Sequence, residues 1–69
     1  PGQCRVTDRV VGHSIMEIEL SPKFGLNIIA LKRDHETTIE VNPDYRFKKD
    51  DVITVIGKID NIDKFERTL

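Results

Sequence analysis

Leu26-Asn27-Ile28-Ile29-Ala30-Leu31-Lys32-Arg33 is the stretch on which the reading of this chain turns. Strict alternation places Leu26, Ile28 and Ala30 on one face and Asn27, Ile29 and Leu31 on the other. Both faces are mostly apolar, which predicts a strand lying centrally in a sheet. Upstream, Pro22 and Gly25 break the chain. Downstream, Asp34-His35-Glu36 reads as a hairpin turn, with His35 in solvent. Thr37-Thr38-Ile39-Glu40-Val41 then predicts a returning strand with Thr37, Ile39 and Val41 on its inner face. Asn42-Pro43-Asp44 is a turn signal, because proline supplies a fixed φ.

Working outward, Val52-Ile53-Thr54-Val55-Ile56 predicts a second buried strand, closed by Gly57. Phe47 is an isolated anchor before a charged turn, Lys48-Lys49-Asp50-Asp51. Cys4-Arg5-Val6-Thr7 alternates and predicts an edge strand. Ser14-Ile15-Met16-Glu17 has the form of a capping box. It predicts a short helix over 14–20 that ends before Pro22. A last helix is predicted from Asp60, with Asp60 and Asp63 at the cap and third positions. Ile59, Ile62, Phe65 and Leu69 form its apolar stripe. The expected fold is α+β: a small, mainly antiparallel sheet with a short N-terminal helix and a C-terminal helix.

Composition agrees with a sheet. Nine Ile and six Val make up 15 of the 26 apolar residues, and β-branched side chains favour strands. The 69 residues suit a single domain over 1–69. A chain near this length hides only about 60% of the surface its unfolded form exposes. Small domains therefore lean on disulfides, a metal or a partner. A lone cysteine, Cys4, allows no internal disulfide. With two histidines, the Cys/His ligands are too few for a zinc site. A partner chain is the support that is left. The missing initiator Met predicts a fragment of a longer protein, or a cloning remnant at Pro1-Gly2.

Function classes narrow in the same way. Eleven basic residues against twelve acidic give a net charge of −1, which argues against a nucleic-acid polymer as partner. The longest apolar run, Leu26–Leu31 broken by Asn27, falls far short of the roughly 20 residues of a membrane span. A single thiol and no signal peptide suit a reduced, cytoplasmic compartment. Asp50 and Asp51 are adjacent and converge poorly on one atom, so they read as a turn. His13-Ser14 reads as part of a helix cap, since neighbours on a cap lack triad geometry. Cys4 has no activating neighbour in sequence. Gly12, Gly25 and Gly57 form no phosphate-binding loop. None of this points to an enzyme. Two features stay open. Asn27 among apolar strand residues either bonds the Ser21–Gly25 loop or reads a ligand. The apolar set Ile15, Met16, Ile28 and Pro43 is core, a dimer seam or a purine-binding surface.

The order and spacing of several segments bear a family resemblance. They are Gly12-His13-Ser14-Ile15-Met16-Glu17-Ile18-Glu19-Leu20, Phe24-Gly25-Leu26-Asn27-Ile28-Ile29-Ala30-Leu31-Lys32-Arg33, Asn42-Pro43, and Phe47-Lys48-Lys49-Asp50-Asp51-Val52-Ile53-Thr54-Val55-Ile56-Gly57. The chain resembles the RCK C-terminal (TrkA-C) domain from about residue 5 to the end. Within that family it is most similar to the C-terminal domains of KtrA-type potassium-transport gating proteins. The resemblance implies a homodimer in a cytosolic ring, peripheral to a membrane potassium channel, transporter or cation/proton antiporter subunit. It implies cyclic di-AMP as regulatory ligand at the dimer interface, inhibiting transport, with no metal. By the same resemblance, Ile15 and Met16 pack on adenine and the Asn27 carboxamide bonds the ligand. Ile28 adds main-chain and apolar contacts, and Pro43 lines the base pocket. Ser21 stands where related domains carry Arg. It offers a hydroxyl but no charge. The competing expectations are a dimerisation domain without a small ligand, and a sensor of another ligand such as a divalent cation. The scattered carboxylates Glu17, Glu19, Asp44, Asp50 and Asp51 make no calcium loop.

Overall fold

The computed structural model describes residues 2–68. Four strands form one antiparallel sheet: β1 (Gly2–Arg5), β2 (Asn27–Arg33), β3 (Glu36–Thr38) and β4 (Val52–Ile56). Their order is β1-β4-β2-β3, so β2 and β4 are the central strands and β1 is an edge. β1 begins two residues earlier than the Cys4–Thr7 expectation.

The faces of β2 differ from strict alternation, and a β-bulge is the reason. Register steps from Ile28 opposite Val55 to Ala30 opposite Thr54, leaving Ile29 as the extra residue. Such an insertion reverses the side-chain alternation beyond it. Leu31 then falls opposite Ile53, on the same face as Ile28 and Val55. Leu26, Leu31, Ile53 and Val55 are buried on that face, while Ile29 is exposed.

Three helices pack beside the sheet: α1 (Ile15–Ile18), α2 (Leu20–Phe24) and α3 (Ile59–Thr68). Of these, α2 and α3 add Leu20, Ile62 and Phe65 to the core, which Cys4 of β1 and Val10 and Phe47 of irregular segments complete. The single helix expected over 14–20 is two short ones, and Pro22 explains both. As a continuation of α1 it would offer no N–H to the carbonyl of Ile18, and its ring would clash there. The chain instead turns through Glu19 in the left-handed region (φ 53°) and restarts. Pro22 then sits in the first turn of α2, where no N–H is needed. Leu20 is buried, and Gly25, also left-handed, closes α2 through its own N–H.

α3 starts at Ile59, one residue before the expected cap. Ile62 and Phe65 are buried, and Phe65 meets Phe24 of α2 edge-on at 5.3 Å. Ile59 is exposed, so it is no part of the packed stripe. Leu69 lies outside the described residues. β3 also stops short, at Thr38. Glu40 adopts a positive φ of 56° and turns the chain away. Thr37 and Ile39 are exposed instead of inward-facing, and Val41 is half-buried. No helix is long and apolar enough to cross a membrane among the described residues.

Candidate ligand cleft

The capping box at the start of α1 is complete. Ser14 Oγ accepts from the Glu17 amide, and Glu17 accepts from the Ser14 amide, each at 3.1 Å. Further groups converge on the same carboxylate. Arg46 Nη1 donates to Glu17 at 2.8 Å and to the Gly12 carbonyl at 2.8 Å. His13 Nδ1 lies 3.3 Å from Glu17. The Ser14 amide above all, then His13, the Ser14 hydroxyl and Arg46, draw the Glu17 pKa down to about 2. Hydrogen bonds and positive charge favour the ionised form, which is the physical cause.

This cap matters because α1 carries two of the residues that the resemblance implies for ligand binding, Ile15 and Met16. The first amides of a helix have no partner within it. Here the segment 42–47 provides them. The Ile15 amide donates to Tyr45 O and the Met16 amide to Pro43 O, both at 3.1 Å. A bridge between Ser14 and Arg46 extends the contact. Asn42 starts this segment with a side-chain turn, its Oδ1 accepting from the Asp44 amide at 2.8 Å.

Ile15, Met16, Ser21, Asn27 and Ile28 line one cleft of about 450 Å³ between α1, α2 and the start of β2. Pro43 is not in its lining; it stands behind Met16, joined by the backbone hydrogen bond. Met16 is 62% exposed, an unusual state for a long apolar side chain, and Ile56, opposite Asn27 in the sheet, is 50% exposed. Asn27 is exposed too, and its carboxamide makes no hydrogen bond to the Ser21–Gly25 loop among the described residues. That loop is closed by its own backbone, with Gly25 bonded to Ser21 O and Leu26 to Leu20 O. The cleft's lining carries one charged side chain. That is Glu19, paired with Lys23 at 3.9 Å, and no Arg or Lys is in the lining.

Residues 5–69 match the TrkA-C domain. The chain belongs to the TrkA-C family. This TrkA-C domain is 29% identical over 59 residues to the Ktr system potassium uptake protein C of Bacillus subtilis (strain 168). The match covers 86% of this chain and 27% of that protein, so the chain spans about a quarter of the curated relative. Among solved structures it is similar to the RCK C domain of the potassium transport protein KtrA in complex with cyclic di-AMP. That likeness has a TM-score of 0.96 and 29% identity, covering 99% of this chain and 80% of the other. It is also similar to the RCK_C dimer of S. agalactiae BusR in complex with cyclic di-AMP, at a TM-score of 0.85 and 19% identity. This second match covers 97% of this chain and 85% of that one, and it bears on the fold.

Two groups outside the cleft differ from expectation or complete it. Asp51, read as part of a charged turn before β4, is fully buried. Its carboxylate accepts from Tyr45 Oη at 2.6 Å, the Lys48 amide at 2.9 Å and Arg33 Nε at 3.3 Å. A buried charge requires such partners. The signal was present in the register: Lys32 pairs with Val52, which brings Arg33 beside Asp51 at the strand ends. Cys4 is buried and its thiol donates to Glu66 at 3.7 Å. Burial, then the Glu66 charge, push its pKa up to about 11, so the group stays a thiol near neutrality. Among the described residues, no three of His, Cys, Asp and Glu gather as a metal-holding group.

Proposed function

We propose that this TrkA-C domain is a ligand-sensing regulatory segment of a bacterial potassium transport system. In this reading it pairs with a second copy of itself, binds cyclic di-AMP at the seam, and so inhibits transport by a membrane channel or transporter subunit. The observation that carries the reading is the convergence of Ile15, Met16, Ser21, Asn27 and Ile28 on one cleft with Met16 and Asn27 exposed. The 0.96 TM-score to a KtrA domain solved with that ligand supports it.

The chemistry suits such a ligand. Exposed apolar side chains offer a surface to an adenine, and a carboxamide has both donors and an acceptor for a base edge. A two-fold ligand meets the same residues from each chain of a two-fold pair. A ligand that fits one pair geometry better than another shifts the population toward it. That bias is what a transport subunit would feel.

A second reading is favoured by one observation, a cleft lining without Arg or Lys, which gives a doubly anionic ligand no charge partner there. The domain would then pair without a small ligand, and Ser21 would mark a lost site. Asn27→Ala separates the two. Under the ligand reading, calorimetry shows cyclic di-AMP affinity falling about tenfold or more while sedimentation still shows the pair. Under the second, neither wild type nor variant gives heat.

A further inference from the structure

The wall of the cleft depends on a side chain that does not reach it. Tyr45 and Pro43, whose carbonyls hold the first amides of α1, belong to an irregular segment, 42–47. Its far end is anchored by Phe47, buried in the core and bonded through its main chain to Gly12 and His13. Tyr45, in its middle, is held to the sheet by Asp51, a carboxylate with 0% exposure at the entry to β4. One oxygen takes the Tyr45 hydroxyl at 2.6 Å and the Lys48 amide at 2.9 Å, which flank the segment's end. The other takes Arg33 Nε at 3.3 Å. Arg33 is the last residue of β2, whose first residue is Asn27. Its guanidinium also lies over the Tyr45 ring, 4.8 Å from the centroid, a cation–π contact. The main chain of Asp51 is engaged as well, its carbonyl accepting from the Val6 amide at 2.9 Å.

We infer that Asp51 is a positioning residue of the cleft: through Tyr45 it fixes segment 42–47, and through that segment the start of α1 with Ile15 and Met16. This rests on the ligand reading above for its consequence, though not for its geometry. The arrangement is a short chain of contacts: Asp51 to the Tyr45 hydroxyl, the Tyr45 and Pro43 carbonyls to the Ile15 and Met16 amides, and those two side chains into the cleft. Charge-assisted bonds to a carboxylate in a dry site are the strong members of such a chain. The Ile15 and Met16 amides, at the helix start, are the weak end. Arg33 adds a second restraint on the Tyr45 ring. Its Nη2 is buried with no hydrogen-bond partner among the described residues, so Nε carries the guanidinium's bond to Asp51.

Tyr45→Phe removes the hydroxyl and keeps the ring that packs on Phe47 and Arg33. In this variant, amide hydrogen exchange of Ile15 and Met16 is expected to rise about tenfold, while Ile53 and Val55 in β4 keep their wild-type protection. Cyclic di-AMP affinity, measured by calorimetry, is expected to fall roughly five- to tenfold. Asp51→Asn is expected to show the same pattern more strongly. If it does not fold, Tyr45→Phe decides alone. Unchanged exchange at Ile15 and Met16 overturns the inference, as does an equal rise across β4, which would mean general loosening. Raised exchange with unchanged affinity overturns the link to the ligand. A wild-type domain that gives no heat with cyclic di-AMP defeats the ligand reading instead, and the exchange pattern still decides the positioning.

Discussion

The Met16 amide donates to the Pro43 carbonyl at 3.1 Å, so two residues 27 positions apart, both expected from the family resemblance to meet one ligand, are tied through the main chain. Their side chains are then free to be spent on binding. Met16 is 62% exposed, and truncating it removes little from the core. Met16→Ala is expected to change unfolding free energy by less than about 0.5 kcal/mol, as surface changes do. The same variant is expected to lose about tenfold in cyclic di-AMP affinity. Urea unfolding and calorimetry on one preparation check both halves.

Ser21 lines the cleft as the second residue of α2 and brings no charge to it. Arginine would present a forked donor to phosphate. Ser21→Arg is expected to tighten cyclic di-AMP binding about tenfold. The gain should shrink between about 50 and 500 mM salt, because an exposed charge contact is screened. Wild type should show the weaker salt dependence of the two. Calorimetric titrations at both salt concentrations test this.

Glu17 gives a pH signature. Its carboxyl titrates at about 2 in the folded chain against an ordinary 4.5. A depressed folded pKa contributes stability above the unfolded value and loses it as pH falls through the folded one. Glu17→Gln keeps the cap's shape and removes the charge. Wild type is expected to melt higher than Glu17→Gln at pH 6. That difference should narrow as pH falls from 4.5 through the folded value of about 2 and vanish only below it. A difference that stays constant across the window would contradict the assignment. Subtracting the two melting curves cancels the other carboxylates.

Gly57 is held by space. A Cβ there would run into the Leu26 side chain and come within 3.0 Å of the Gly25 carbonyl. Leu26 is fully buried, so its side chain can yield only by repacking the core. Gly57→Ala is expected to destabilise by about 1–3 kcal/mol, the usual range for overpacking. The midpoint of urea unfolding should fall while its slope stays unchanged.

Much of this fold was legible in local pattern. β4, the core of β2, the capping box at Ser14 and the buried pair Ile62 and Phe65 follow from spacing alone. What failed was whatever depends on the rest of the chain. The bulge at Ile29 exists only against β4, so alternation within β2 put Ala30 and Leu31 on the wrong faces. Pro22 reads as a terminator until a left-handed Glu19 lets it start a second helix. Ile39 looks inward until Glu40 turns the chain. Asp51 looks solvated because its partners, Tyr45 and Arg33, are 6 and 18 positions away. The cleft was legible in part. Ile15, Met16, Ser21, Asn27 and Ile28 were named from the resemblance and do converge. Glu19 also lines the cleft, and in the sequence it is one of several scattered carboxylates with nothing to single it out.

The most direct test of the central claim is a calorimetric titration of the wild-type domain with cyclic di-AMP, beside cyclic di-GMP and ATP. The account predicts saturable heat with cyclic di-AMP at one ligand per two chains, and weaker or no heat with the other two. Absence of heat at high micromolar cyclic di-AMP, or saturation at one ligand per single chain, would contradict it.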